Sequence, residues 1–339
     1  MARDPLRRYL GVDGGGSKTA FVLVDESGAV LACHQEGPAY YLQTGIEAMR
    51  AMLARGMLAT LTQASLTPAA VNFAFLGLPS YGEDSQLLAT LDAAAAPTLL
   101  RGQYRCGNDA LCGWAGALGG EEGINVIAGT GSMAYGEYAG RSARAGGWGE
   151  LFSDEGSGYW VAREGLQLFS RMSDGRAARG PLYEIFRKHF RLVSDLDLCA
   201  AVYGTGRGER TDVASLSGLV AEAARAGDTQ ARSLFTRAVE ELTCMVDAVP
   251  EQLQVPPGVR LNVSHSGGMF KLRDLVFEPL RARLEGSPRG YRFAAARLTP
   301  AAGAALYAAR VSGVPLTAQA VATLESQQHG LPGWDPAPS

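Results

Sequence analysis

The sequence predicts an α/β protein of two domains that face a cleft, with glycine loops at the strand ends. Three observations lead there. At 339 residues the chain is long enough for about two domains, each with its own core. A hydroxyl-bearing glycine loop between two β-forming runs occurs in LGVDGGGSKTAFVLV (residues 10–24) and is echoed in INVIAGTGSMAYGEY (residues 124–138). Such an echo suggests two related halves. Segments of helical periodicity follow each of these units.

The elements follow in chain order. Residues 9–12, 20–24 and 29–34 are β-forming, and Glu26-Ser27-Gly28 reads as a turn between strands. The first glycine loop is therefore a hairpin tip rather than a strand-to-helix turn. Helical periodicity covers residues 46–61, a strand is expected at 71–76, and helices at 81–95 and 109–118. After the second glycine unit, helices are expected at 157–170, 181–190, 215–226 and 228–247. A third strand-and-glycine unit, VRLNVSHSGGMF (residues 259–270), precedes a helix at 272–284. The last helix, 300–312, is rich in alanine. The tail, GLPGWDPAPS (residues 330–339), reads as frayed. A chain crossover near residues 112–122 is the expected boundary between the halves.

Composition narrows the function. The chain is 47% hydrophobic and 19% charged, with a net charge of −3 and no long Lys/Arg block. That argues against nucleic acid or an anionic membrane as the main partner. The apolar run of the N-terminal segment stops at Asp13, too short for a signal peptide, and no 18-residue apolar stretch is present. Five scattered cysteines without a CxxC pair predict reduced thiols in the cytoplasm.

Glycine is the outlier, with 43 residues clustered in loops. Two nucleotide motifs fail on context. Gly11 and Gly16 have Walker A spacing, but Ser17 precedes Lys18 and a strand follows. The run from Gly129 to Ala134 matches G-x-G-x-x-A, yet a β-like run follows where a Rossmann loop needs a helix. Phosphate can be cradled without a helix, because consecutive N–H groups in a tight glycine turn form an anion nest and hydroxyls add donors. The tips Gly14, Gly15, Gly16, Ser17 and Gly129, Thr130, Gly131, Ser132 could then grip one polyphosphate. Asp13 beside phosphates would be repelled unless Mg²⁺ sat between them. One such loop alone reads better as a plain hairpin turn; two of them, with Asp13 and the glycine unit at Ser264–Gly268, favour the phosphate reading.

With those residues in view, the chain resembles the sugar kinase, actin and heat-shock chaperone ATPase superfamily. The three glycine units are similar to its two phosphate loops and its adenosine loop. NDALCGWAG (108–116), GGWGELFSDEGSGYW (146–160) and AEAARAGD (221–228) resemble the N-acetylglucosamine kinases and BadF-type ATPases, over residues 9–310 or so. The resemblance implies two ribonuclease-H-like (actin-like ATPase) domains. The first would span 1–116, completed by a C-terminal helix at about 300–325; the second would span 117–299 with a helical insertion. It also implies ATP and Mg²⁺ as cofactors, a small sugar as substrate and a homodimer.

Residue roles are carried over position by position. Asp109 follows the strand-like run 103–106 and opens a helix; on its own it reads equally as an N-cap or as a base. The resemblance makes it the catalytic base, deprotonating the acceptor hydroxyl. Asp154 and Gly147 match residues that contact sugar hydroxyls. Ser17 and Thr130 match the ATP-contacting hydroxyls, and Ala214 a position near the adenine. Gly267 and Gly268 would let adenosine approach the backbone. Family members carry an asparagine for the amino sugar at the place held here by Tyr40. A tyrosine there would narrow the pocket, stack on the ring or point elsewhere. Glu155 is expected to support the site, Trp148 to be core or a sugar platform, and His265 to be a core histidine.

The leading reading is thus phosphorylation of N-acetylglucosamine or a related hexose at a primary hydroxyl. A BadF-type activator needs cysteines for an iron–sulfur cluster between subunits, and none of the five falls in the stretch 146–158. A sugar or nucleotide sensor without catalysis is the third reading, against which Asp13 and Asp109 stand.

Overall fold

The computed structural model describes residues 6–204 and 209–331; the tail beyond Leu331 lies outside the described residues. Contacts divide the chain into two compact units, Met1–Glu121 with Ala295–Ser339, and Glu122–Ala294.

In the first unit a five-stranded sheet has the order β3-β2-β1-β4-β5. Its strands are β1 (Arg8–Gly14), β2 (Thr19–Asp25), β3 (Val30–Glu36), β4 (Phe73–Leu78) and β5 (Tyr104–Asn108). The first three form an antiparallel meander, and β4 and β5 run parallel to β1. Gly14 pairs with Thr19, so the first glycine loop is a hairpin tip. The alternating burial expected of a one-faced strand is missing in β2, which is buried at every position and so carries helices on both faces.

The helix Pro300–Val311 packs on this sheet and on the helix Ala110–Leu118. Its sequence, PAAGAALYAARV, explains how closely. A Cβ on Gly303 would stand 2.1 Å from the Gly116 nitrogen, so the two backbones touch where side chains would separate them. Between Tyr81 and Ala95 the expected long helix shrinks to Leu88–Asp92. Alanine-rich composition supplies helix propensity, but turns at Ser80 and Gly82, both at positive φ, leave a single helical turn.

The second unit repeats the plan. Its strands are β6 (Gly123–Ala128), β7 (Ser132–Tyr138), β8 (Arg141–Gly146), β9 (Asn262–Ser266) and β10 (Arg292–Phe293), in the order β10-β9-β6-β7-β8. Again three strands meander antiparallel and two run parallel to the first. The internal echo in sequence is an echo in topology, and both units have the ribonuclease-H-like arrangement. Between β8 and β9 the chain inserts helices, from Gly158–Ser173 to the 25-residue Thr229–Leu253. Asp228 caps the latter, accepting from the Gln230 and Ala231 N–H groups at 3.0 Å each. His265 sits on β9 among the rings of Phe270, Phe277 and Phe293. That surrounding pushes its pKa down to about 4, mainly by burial and then by Arg273.

Candidate active site

In the first unit the acidic residues gather at the C-terminal ends of the parallel strands. Asp13 lies near the end of β1, opposite Gly77 of β4; Gly77 in turn pairs with Gly107 of β5, and Asp109 follows that strand. Ligands of open α/β sheets bind at these strand ends. Gly77 is what lets the start of the helix Ala110–Leu118 close onto β4 there. A Cβ on it would fall 2.2 Å from Cys112 Sγ and 3.1 Å from Asp109 Cα.

Asp13 and Asp109 feel each other. Burial pushes the Asp13 carboxyl up to about 8, the Asp109 charge adds to that, and Lys18 opposes it. A desolvated carboxylate facing a second one is poorly tolerated unless a cation joins them. A Mg²⁺ held by Asp13 fits this arrangement, since Mg²⁺ takes one or two carboxylates and completes its shell with phosphates and water. Among the described residues no group of three or more His, Cys, Asp or Glu could hold a metal alone.

Asp109 occupies the N-cap position of the helix Ala110–Leu118, yet its side chain accepts no cap hydrogen bond. The capping is local to Asn108, whose Oδ1 accepts from the Ala110 N–H at 3.1 Å. The Asp109 carboxylate is therefore not used up by the helix end.

The segment containing Tyr40 is strapped to the first glycine loop. The Ala39 N–H donates to the Gly15 carbonyl at 3.0 Å, and the Thr19 hydroxyl donates to the Gly37 carbonyl at 2.8 Å. Tyr40 follows directly as the N-cap of a four-residue helix, Tyr41–Thr44. Gly16, Ser17 and Lys18 are exposed at the tip. The structure thus brings Asp13, Gly14, Gly15 and Tyr40 to one corner of this unit, with Asp109 coupled to Asp13.

In the second unit a cavity of about 520 Å³ is lined by Thr130, Ala214, Gly218, Gly268 and Met269, among others. This is within the range of small-molecule sites. Three residues assigned to the nucleotide from separate parts of the sequence meet in it. Gly267 does not line it but precedes Gly268, and at φ 109° a Cβ there would stand 2.4 Å from the Ala128 carbonyl oxygen. Gly268 is different, with nothing within 4 Å of where a Cβ would be. The fold does not require glycine there, so Gly268→Val is expected to leave the melting temperature nearly unchanged and to weaken ATP binding roughly 10-fold by filling the cavity. Calorimetric titration checks it; unaltered affinity would place the nucleotide elsewhere.

Two assigned residues are corrected. Ser132 does not offer its hydroxyl to a ligand; the group is buried and donates to the Glu155 carbonyl at 2.6 Å. It is the first residue of β7, and this bond ties the second glycine loop to the stretch 150–158. Trp148 is no core residue. It is 68% exposed, with the Arg144 guanidinium 5.9 Å over its ring. Gly147 beside it, at φ 73°, packs on Met133. Asp154 is 2% exposed and pairs with Arg210, a residue sequence reasoning missed. Nothing local marks that pair, because 56 residues separate its members.

A model of the BadF/BadG/BcrA/BcrD ATPase family matches residues 10–308. The chain is 28% identical over 282 residues to the N-acetylmuramic acid/N-acetylglucosamine kinase of Clostridium acetobutylicum, covering 81% of this chain and 90% of that one. It is 26% identical over 312 residues to the N-acetyl-D-glucosamine kinase of Dictyostelium discoideum, covering 88% and 97%. Among solved structures, a Chromobacterium violaceum protein provisionally named an N-acetylglucosamine kinase superposes with a TM-score of 0.71 at 28% identity, covering 89% of this chain and 98% of that one.

Proposed function

The chain belongs to the BadF/BadG/BcrA/BcrD ATPase family, and from that premise we propose that it is an ATP-dependent kinase of N-acetylglucosamine or a closely related amino sugar. The observation that carries the proposal is the meeting of Thr130, Ala214 and Gly268 in one cavity of nucleotide size, in a chain whose Asp13 and Asp109 lie at the C-terminal ends of parallel strands of one sheet. The names of the two relatives support the sugar class.

In this reading the cavity receives the nucleoside, and the second glycine loop meets the phosphates with the Thr130 and Gly131 N–H groups, the Gly129 N–H being donated to the Gly131 carbonyl. The other loop, Gly14–Ser17, offers the same kind of donors. Asp109 accepts the proton of the sugar's primary hydroxyl as that oxygen attacks the terminal phosphorus and the bond to the β-phosphate oxygen breaks. Asp13 is the residue that would hold Mg²⁺, and a bound cation would neutralise charge on the phosphates. Gly147 and Asp154 are the residues proposed to contact sugar hydroxyls, and Tyr40 is proposed to bear on the choice of sugar. The same family resemblance makes a homodimer the proposed state in solution, and the reduced thiols make the cytoplasm the proposed compartment.

An ADP-release assay over N-acetylglucosamine, glucosamine, muramic-type sugars and glucose tests the proposal. Release above the no-sugar rate with an amino sugar is expected. Equal release with and without every sugar contradicts a kinase. On the same panel Tyr40→Asn is expected to shift preference toward N-acetylated sugars, and an unchanged profile would place Tyr40 outside the pocket.

A further inference from the structure

We infer that Arg210 is a phosphate-binding residue of the nucleotide site, held ready by Asp154 and Glu150 until a polyphosphate arrives. The inference rests on the nucleotide reading of the cavity above and adds a residue to it.

Four observations in the second unit carry it. The Arg210 guanidinium lies against the second glycine loop: a Cβ on Gly131 would stand 2.5 Å from Arg210 Nη2 and 2.8 Å from Asp154 Oδ2. The next residue, Thr211, lines the cavity together with Thr130 and Ala214. A chain of phosphates leaving that cavity along Thr130 and Gly131 therefore runs toward Arg210. Third, Asp154 takes up the left-handed backbone, at φ 60°, a conformation that aspartate tolerates better than most residues with a Cβ. Its buried carboxylate accepts from Arg210 and, at 3.5 Å, from the Ser132 N–H. Fourth, Arg210 is not fully satisfied. Its buried Nε has no hydrogen-bond acceptor, although a Glu150 carboxylate oxygen stands 3.2 Å away.

The pairing geometry allows an exchange of partners. One guanidinium is shared between two carboxylates, those of Asp154 and Glu150. Asp154 remains above the ordinary carboxylate range, because burial outweighs the Arg210 charge. Arg210 itself keeps 30% of its side chain exposed, against 2% for Asp154, so it is the member able to turn toward a ligand. A guanidinium donates to phosphate oxygens in a fixed fork, which suits it to bridge a phosphate and a carboxylate at once. In bridging, it would draw hydrogen bonds away from Asp154 and free an acceptor for a sugar hydroxyl. A purely structural Arg210 would serve Asp154 alone and be indifferent to how many phosphates the nucleotide carries.

That difference is measurable. Calorimetric titrations of the chain with ATP, ADP and adenosine, in the presence of Mg²⁺, are compared for wild type, Arg210→Lys and Arg210→Gln. Loss of charge-assisted bonds to phosphate is expected to weaken ATP about 10- to 100-fold in Arg210→Gln, to leave adenosine nearly unchanged, and to give an intermediate loss in Arg210→Lys. Equal weakening of ATP and adenosine, or no weakening of ATP, would overturn the inference. Arg210→Gln leaves the buried Asp154 charge unpaired and so carries a folding risk. The pair Asp154→Asn with Arg210→Gln removes both charges, and the same selective loss of ATP is then expected relative to Asp154→Asn alone. A wild-type chain that bound none of the three nucleotides would overturn the nucleotide site itself, and this inference with it; a selective failure in the variants bears on Arg210 only.

Discussion

Asp109→Asn is expected to lower sugar-dependent turnover by roughly 10²-fold or more, the usual scale for losing a general base, while ATP affinity stays nearly unchanged. The structure separates this role from the competing one. A capping aspartate would make the substitution a stability defect of about 1 kcal/mol, with turnover falling only as far as folding does. Here Asn108 serves the helix end and the Asp109 side chain accepts no cap bond. The melting temperature should therefore hold. It should even rise slightly at neutral pH, because the substitution removes a charge that acts on Asp13. Turnover close to that of the wild type would refute the assignment.

Asp13→Asn is expected to reduce turnover at least as severely, and to do so together with a gain in stability. The sign follows from linkage. Folding raises the Asp13 pKa from 3.8 to about 8, so between those values the folded state binds more protons than the unfolded chain. Its contribution is greatest at low pH and is lost as pH rises through about 8. In a metal-free buffer at pH 8 the asparagine variant should melt higher than the wild type, by an amount equivalent to roughly 1–3 kcal/mol once partial solvation is allowed for. At pH 4 the two should converge. Adding Mg²⁺ should raise the melting temperature of the wild type at pH 8 and leave that of the variant nearly unchanged. Melting curves over pH with and without EDTA read all of this. A wild type that is the more stable protein at pH 8 without metal would mean that Asp13 is not strained by its surroundings.

Much of this arrangement was legible in the residues, because the signals were local. The run of three glycines after Asp13, set between β-forming segments, could only be a tight hairpin. The alanine-rich run at Pro300–Val311 marked a helix, though its close packing on backbone showed only in the fold. What sequence could not give was direction. Ser132 and Thr130 both carry hydroxyls in the same loop, but the pairing of Ser132 with Ala128 turns its side chain inward, toward Glu155. Trp148 reads as core by composition, yet it lies between two glycines at positive φ and stays exposed. Arg210 opens a short helix far along the chain, and only the folded insertion brings it to Asp154 and Gly131. Residues 81–95 failed for the opposite reason: strong local propensity was overridden by turns.

The most direct measurement is a crystal structure with a non-hydrolysable ATP analogue and Mg²⁺. The account predicts the nucleoside in the cavity lined by Thr130, Ala214 and Gly268, with its phosphates along Thr130 and Gly131. A nucleotide bound away from those residues would contradict it.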